Sequence, residues 1–167
     1  DIFKVKNIKI GIVVTAHFSD EYRPNGDVYI KKYSESTKCI NDSFKLYVFD
    51  NASSKKLPNL DYDYVEIIRV EDQFLRGLSG TWNDGIISAV NDGCDVIIVS
   101  NDDVELNDTI NLFIGQIYSH EFNDCSIYGP VSNGILGGCQ KHNAPTHQIT
   151  ELTGNFSNMV NGFLFGF

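Results

Sequence analysis

Val96-Ile97-Ile98-Val99-Ser100-Asn101-Asp102-Asp103 decides the fold of this chain: four apolar residues run unbroken into a polar pair and then two adjacent carboxylates. An unbroken apolar run, rather than alternation, marks a strand covered on both faces, as in a parallel sheet between layers of helix. Ile12-Val13-Val14 repeats the pattern and closes on Thr15-Ala16-His17. Parallel strands need long crossovers, usually helical, so the pattern predicts an α/β chain with a mostly parallel sheet.

Working outward, apolar runs predict strands at 8–15, 45–49, 64–70, 95–100, 126–128 and 161–167. A helix is expected over 81–90, with Trp82, Ile86, Ala89 and Val90 on one face, Ser79 or Thr81 as its N-cap and Gly93 at its end. A second is expected over 108–120, where Ile110, Phe113, Ile114 and Ile117 recur at helical spacing behind Asn107 or Asp108. A third covers 27–40, placing Ile30, Tyr33, Thr37 and Ile40 together after the turn signal Pro24-Asn25-Gly26. Residues 129–156 are rich in Gly, Asn, His and Thr and read as a long mobile loop over a ligand pocket.

The 167 residues suit one compact domain. With 22 acidic against 13 basic side chains and a net charge of −9, broad contact with nucleic acid is excluded as the main activity. No apolar run approaches the ~20 residues that span a bilayer. The chain opens on Asp1 rather than Met, which is consistent with trimming. Cys39, Cys94, Cys125 and Cys139 form no CxxC pair, so reduced thiols and a cytoplasmic location are expected. A zinc site from Cys125, Cys139, His142 and His147 matches no standard ligand spacing.

Open α/β sheets bind ligands outside the carboxyl ends of their strands. Three polar clusters fall there: Thr15-Ala16-His17, Asp50-Asn51-Ala52-Ser53-Ser54, and Ser100-Asn101-Asp102-Asp103. Two adjacent carboxylates beside a dry interior repel unless a cation or hydrogen bonds offset them. Mn²⁺ or Mg²⁺, held by Asp102 and Asp103 and completed by diphosphate oxygens and water, answers that chemistry. A plain loop start before the next helix answers it too. Arg76-Gly77-Leu78-Ser79-Gly80-Thr81-Trp82-Asn83 opens the expected helix and offers free N–H groups to an anion.

In that order the pieces at 10–15, 48–53, 80–85 and 96–104 resemble the family-2-like GT-A glycosyltransferases. The resemblance implies a single GT-A (Rossmann-like) domain over 1–167, with a nucleotide-binding part at 8–105 and an acceptor-side part at 106–167 that reads as truncated. It implies a nucleotide diphosphate sugar donor, by family habit a UDP-sugar, and a glycan or other hydroxyl acceptor. Further domains of a larger enzyme would be partners. Carried over by position, Thr15, Ala16, Asp50, Arg76, Gly80, Asn83 and Asp102 would bind nucleotide, and Asp103 with Asp102 the metal. Asn101 stands where the family often has the first Asp of its DXD motif. The catalytic base is not identified; Glu151 and Asp124 are candidates by chemistry only.

Readings from other classes are weaker. No GxGxxG turn follows the first strand, as a dinucleotide oxidoreductase requires, and the acidic Phe18-Ser19-Asp20-Glu21 ill suits a nucleotidylyltransferase's basic loop. A non-catalytic or truncated nucleotide-sugar-binding module is the remaining alternative.

Overall fold

The computed structural model describes residues 7–71, 73–119, 127–129 and 164–167, the side chains of 73–76 excepted. Strands β1 (Lys9–Ala16), β2 (Ser43–Asn51), β3 (Val65–Val70), β4 (Val96–Asn101) and β5 (Leu164–Gly166) form one sheet in the order β3-β2-β1-β4-β5. The first four are mutually parallel, and β5 is an antiparallel edge on β4. The register aligns Thr15 with Asn101 and Ala16 with Asp50, so three strands end side by side. The expected α/β fold with a mostly parallel, helix-flanked sheet is the fold found.

Period-two alternation divides the core between the two sheet faces. Ile10, Ile12 and Val14 of β1 join Leu46, Val48, Val96 and Ile98 against α1 (Gly26–Ser36) and α3 (Thr109–Ser119). Val13 joins Tyr47, Phe49, Ile97 and Val99 against α2 (Gln73–Asn91). Each fully buried Ile or Val contributes roughly 1.5–3 kcal/mol, so the two clusters hold the strand ends in place.

The helices depart from expectation in instructive ways. The first follows Pro24-Asn25-Gly26 but ends at Ser36, and 37–39 tighten into a 3₁₀ turn. Ile30, Tyr33, Thr37 and Ile40 are nonetheless all buried as expected. The second starts eight residues early, at Gln73, and runs through a break at Gly77 with φ 59°. Neither Ser79 nor Thr81 is therefore an N-cap; the Thr81 hydroxyl instead donates to the Leu78 carbonyl at 2.8 Å. Gly85 faces the sheet, where a Cβ would sit 2.2 Å from Val13 Cγ1, so the contact line runs through Thr81, Gly85 and Ala89. Val90 lies off that line and is 58% exposed, contrary to its expected place on the buried face. At the far end Gly93 (φ 74°) and Cys94 return hydrogen bonds to the carbonyls of Val90 and Ala89, satisfying the last turn.

The 126–128 run is not a strand in its described part, where Tyr128 makes an isolated antiparallel bridge to Gly166. The loop expectation over 129–156, the zinc reading, and the candidates Asp124 and Glu151 fall outside the described residues apart from Gly129. Among the described residues, no helix is long and apolar enough to cross a membrane.

Candidate functional site

The carboxyl ends of β1, β2 and β4 enclose a pocket of about 230 Å³ lined by Thr15, Ala16, His17, Arg23, Asn51, Leu78, Asn101 and Asp102. Thr15 and Thr81 share a hydrogen bond of 2.7 Å. Since the Thr81 proton goes to Leu78, Thr15 is the donor of that pair, which uses neither lone pair of its own hydroxyl.

Beyond β1 the chain makes a short strap that crosses the pocket rim. His17 Nδ1 donates to the Asn51 carbonyl at 2.8 Å, because a carbonyl can only accept, and Nε2 lies 3.0 Å from the Ser19 hydroxyl. The Phe18 N–H donates to Ser53 Oγ at 2.9 Å. Ser19 and Arg23 pair across the strap, and α1 begins directly after it. A Cβ on Gly26 would stand 2.0 Å from the His17 carbonyl oxygen, so only glycine lets the strap fold this closely onto the helix start.

This strap delivers Arg23 to the acidic pair. Its Nη2 makes an ion pair with Asp102 Oδ1 and lies 3.3 Å from Asp103 Oδ2, and its guanidinium carbon sits 5.0 Å over the Tyr29 ring. Asp102 is buried, whereas the Asp103 side chain is about half exposed. Burial pushes the Asp102 carboxyl up to about 6; Arg23 opposes the rise and the neighbouring Asp103 charge adds to it.

At the end of β2, Ala52 takes a left-handed conformation (φ 51°), uncommon for a residue with a side chain, and turns the chain sharply. Asp50 points toward β3, where Arg69 Nη1 donates to Oδ2 at 2.9 Å, and its Oδ1 accepts the Ser53 N–H at 3.2 Å. Asn51 faces the pocket instead.

Three buried polar atoms with no partner in the structure belong to residues that line this one pocket: Asn51 Oδ1, Arg23 Nε and Asp102 Oδ2. Buried polar atoms are normally paired, so an acceptor, a donor and a carboxylate oxygen left unpaired on residues that line one pocket single it out as the candidate site. A wider depression of about 490 Å³, lined by Lys32, Glu35, Ser36, Cys39, Glu105 and Leu106, has no such atoms.

Of the residues singled out in the sequence, Thr15, Ala16 and Asp102 meet at the pocket, and Asp103 joins them through Arg23. Asp50 adjoins it but is held by Arg69. Gly80 and Asn83 lie on α2 away from the lining, Asn83 exposed, and the Arg76 side chain is outside those described. Arg23 was not expected, and Asn51 was expected only as part of the polar cluster that closes β2, not as a binding residue. Arg23 lies far from Asp102 in the chain, and no local motif marks it.

The donor set fits a divalent cation in part. Asp102 Oδ2 and the Asp103 carboxylate offer hard oxygen ligands, which diphosphate and water would complete. Among the described residues no third His, Cys, Asp or Glu joins them, and Arg23 already supplies a positive charge there.

No protein-family profile matches the sequence, and no curated protein matches it. The structure is similar to the crystal structure of S. aureus TarS 1-349, a glycosyltransferase, with a TM-score of 0.58 and 13% sequence identity. The match covers 95% of this chain and 46% of that one, so the chain spans under half the length of this neighbour. At this identity the likeness establishes the fold.

Proposed function

We propose that this domain binds a nucleoside diphosphate sugar, by preference a UDP-sugar, and transfers the sugar to a hydroxyl of a glycan or other acceptor. The observation that carries the reading is that Asn51, Arg23 and Asp102, which line one pocket at the sheet's carboxyl edge, each carry a buried polar atom without a partner: Oδ1, Nε and Oδ2. A pyrimidine ring offers an N–H for Asn51 Oδ1 to accept, ribose hydroxyls suit a carboxylate oxygen, and a diphosphate suits a guanidinium. The glycosyltransferase-like fold supports the same reading.

Asp103, with Asp102, would hold Mn²⁺ or Mg²⁺. Stabilising charge on the departing diphosphate is the chemistry such an ion supplies when bound. Thr15, Ala16 and Asn51 orient the nucleoside end, and Asp50, locked by Arg69, holds the β2 turn that carries Asn51. Removing the acceptor proton falls to a carboxylate, for which Asp124 and Glu151 are the candidates by chemistry.

Titrating UDP-glucose or UDP-N-acetylglucosamine into the protein by calorimetry, with Mn²⁺ and then with chelator, tests the proposal. Affinity at least roughly tenfold higher with metal is expected, since an acidic protein repels an unneutralised diphosphate. Equal affinity in both conditions removes the metal, and no binding in either removes the nucleotide sugar. Measuring sugar transfer separately divides an enzyme from a binding module: binding with no transfer to any offered acceptor supports the module.

A further inference from the structure

We infer that Arg69, on β3 and outside the pocket, is a positioning residue for nucleobase recognition: it clamps the turn at residues 50–53 in the shape that presents the Asn51 amide to the ligand. This rests on the nucleotide-sugar reading above and adds to it a residue that acts through another.

Arg69 is committed away from the pocket, whose lining does not include it. Its Nη1 donates to Asp50 Oδ2 and its Nη2 to the Ser53 carbonyl, both at 2.9 Å, while Nε lies 3.3 Å from Glu71 Oε1. Those first two acceptors belong to the first and last residues of the turn, so one planar side chain fixes its span. Asp50 closes the same frame from within, accepting the Ser53 N–H on its other oxygen at 3.2 Å.

The turn needs that restraint. Ala52 holds a left-handed φ of 51°, which a residue with a Cβ adopts at a cost and keeps only where its surroundings over-determine it. Its N–H is shared between the Asp50 carbonyl at 3.0 Å and, across on β3, the Val70 carbonyl at 2.8 Å. On the other side His17 Nδ1 holds the Asn51 carbonyl, and the Phe18 N–H holds Ser53 Oγ. Asn51 is therefore tied by its own backbone to the strap and by its neighbours to β3. It is 6% exposed, lines the pocket and has no protein partner at Oδ1. An acceptor held this way loses little freedom on pairing with a base N–H. Releasing the β3 side lets Ala52 relax toward negative φ and carries the Asn51 amide off its line.

The test follows uridine, which carries the base and no phosphate, by amide shifts in the full chain and its variants. Asn51→Ala should weaken uridine about tenfold, the size of one hydrogen bond to a buried acceptor. Arg69→Lys, which keeps the charge but not the fork, should weaken it to a similar degree, and Asn51→Ala added to it should cost at most about twofold more. In the Arg69→Lys spectrum the Asn51 side-chain amide pair should move toward the positions of an exposed asparagine while the backbone amides of Asn101 and Asp102 stay in place; a general loosening of the edge would move both. Where Arg69→Lys folds poorly, Asp50→Asn probes the clamp from β2: its amide sets an N–H against either Arg69 or the Ser53 N–H, and uridine should again weaken with Asn51→Ala adding little. Parent affinity in Arg69→Lys or, in its place, Asp50→Asn, additive losses with Asn51→Ala, or Asn101 and Asp102 amides moving along with Asn51, overturns the positioning role and leaves the nucleotide reading standing. No uridine binding by the parent, or none lost on Asn51→Ala, removes the Asn51 base contact and this inference with it.

Discussion

The two edges of the sheet carry similar charged side chains and treat them in opposite ways. At the amino edge, Lys45 bridges Asp92 and Glu66 at 2.7 Å each, Tyr47 donates to Asp92 at 2.6 Å, and the Lys9 N–H donates to Asp95 at 3.0 Å. Asp92 sits at the end of α2, where a negative charge is unfavourable, and the two lysines offset it; its carboxyl is held below the usual range, first by Lys45 and then by Tyr47. At the carboxyl edge, two adjacent acids share one arginine nitrogen, Asp102 is buried, and its carboxyl is pushed up to about 6. One edge is balanced without a ligand, while the other is left short of partners. Such unpaired groups cost stability, and sites that bind charged ligands keep them because the ligand completes them.

The largest break in that comparison should come from Asp103→Ala. It is expected to abolish metal-dependent nucleotide binding, a loss of about 100-fold or more, with a melting curve close to the parent's, because the half-exposed side chain is a ligand rather than packing. Unfolding on that substitution would make the acidic pair structural. Asn51→Ala should weaken UDP binding about tenfold both with and without Mn²⁺, the size of one hydrogen bond to a buried acceptor. Calorimetry showing an unchanged affinity would place the base elsewhere.

Smaller effects concern stability and run in opposite directions at the two edges. Asp102→Asn should stabilise the metal-free protein at pH 7 by on the order of 1 kcal/mol, since it removes a buried carboxylate whose charged form is disfavoured. The raised value means that the folded state holds the proton more tightly than the unfolded chain. Stability from this group is therefore gained as pH falls from about 6 toward the ordinary carboxylate value and lost as pH rises. The benefit of Asp102→Asn should fade over that same interval. Asp92 has the opposite sign: its lowered value contributes stability at neutral pH that is lost in acid. Asp92→Asn should thus lower the melting temperature at pH 7, by less than Asp102→Asn raises it, because its bridges are exposed. Melting curves of both variants between pH 4 and pH 8 check the pair; slopes of the same sign would dissolve the contrast.

The architecture was legible because Val96-Ile97-Ile98-Val99 and Ile12-Val13-Val14 leave few alternatives to a doubly covered parallel strand. What escaped depends on geometry that periodicity does not carry. Arg76 to Thr81 reads as a glycine-rich turn, yet helical segments meet on both sides of Gly77 because one left-handed residue redirects the chain without stopping it. Val90 matched the spacing of a buried residue, but the close approach at Gly85 rotates the contact line away from it. In the site, Thr15, Ala16 and Asp102 followed from being at strand ends. The choice between Asp50 and Asn51 did not: neighbours in a strand face opposite ways, and Asp50 is paired in register with Arg69, which draws its carboxylate to β3. Arg23 arrives by a tertiary contact and could not be read from local sequence.

The central claim is that ligand chemistry belongs to the carboxyl edge alone, and amide NMR on the ¹⁵N-labelled protein tests it most directly. With UDP and Mg²⁺, shifts should concentrate at residues 15–17, 23, 51 and 101–103, and substituting a trace of Mn²⁺ should broaden amides around Asp102 and Asp103 first. The amides of Lys9, Lys45, Glu66 and Asp92 should stay sharp and unmoved. Broadening centred on Asp92 and Glu66, or shifts spread evenly over both edges, would contradict the account.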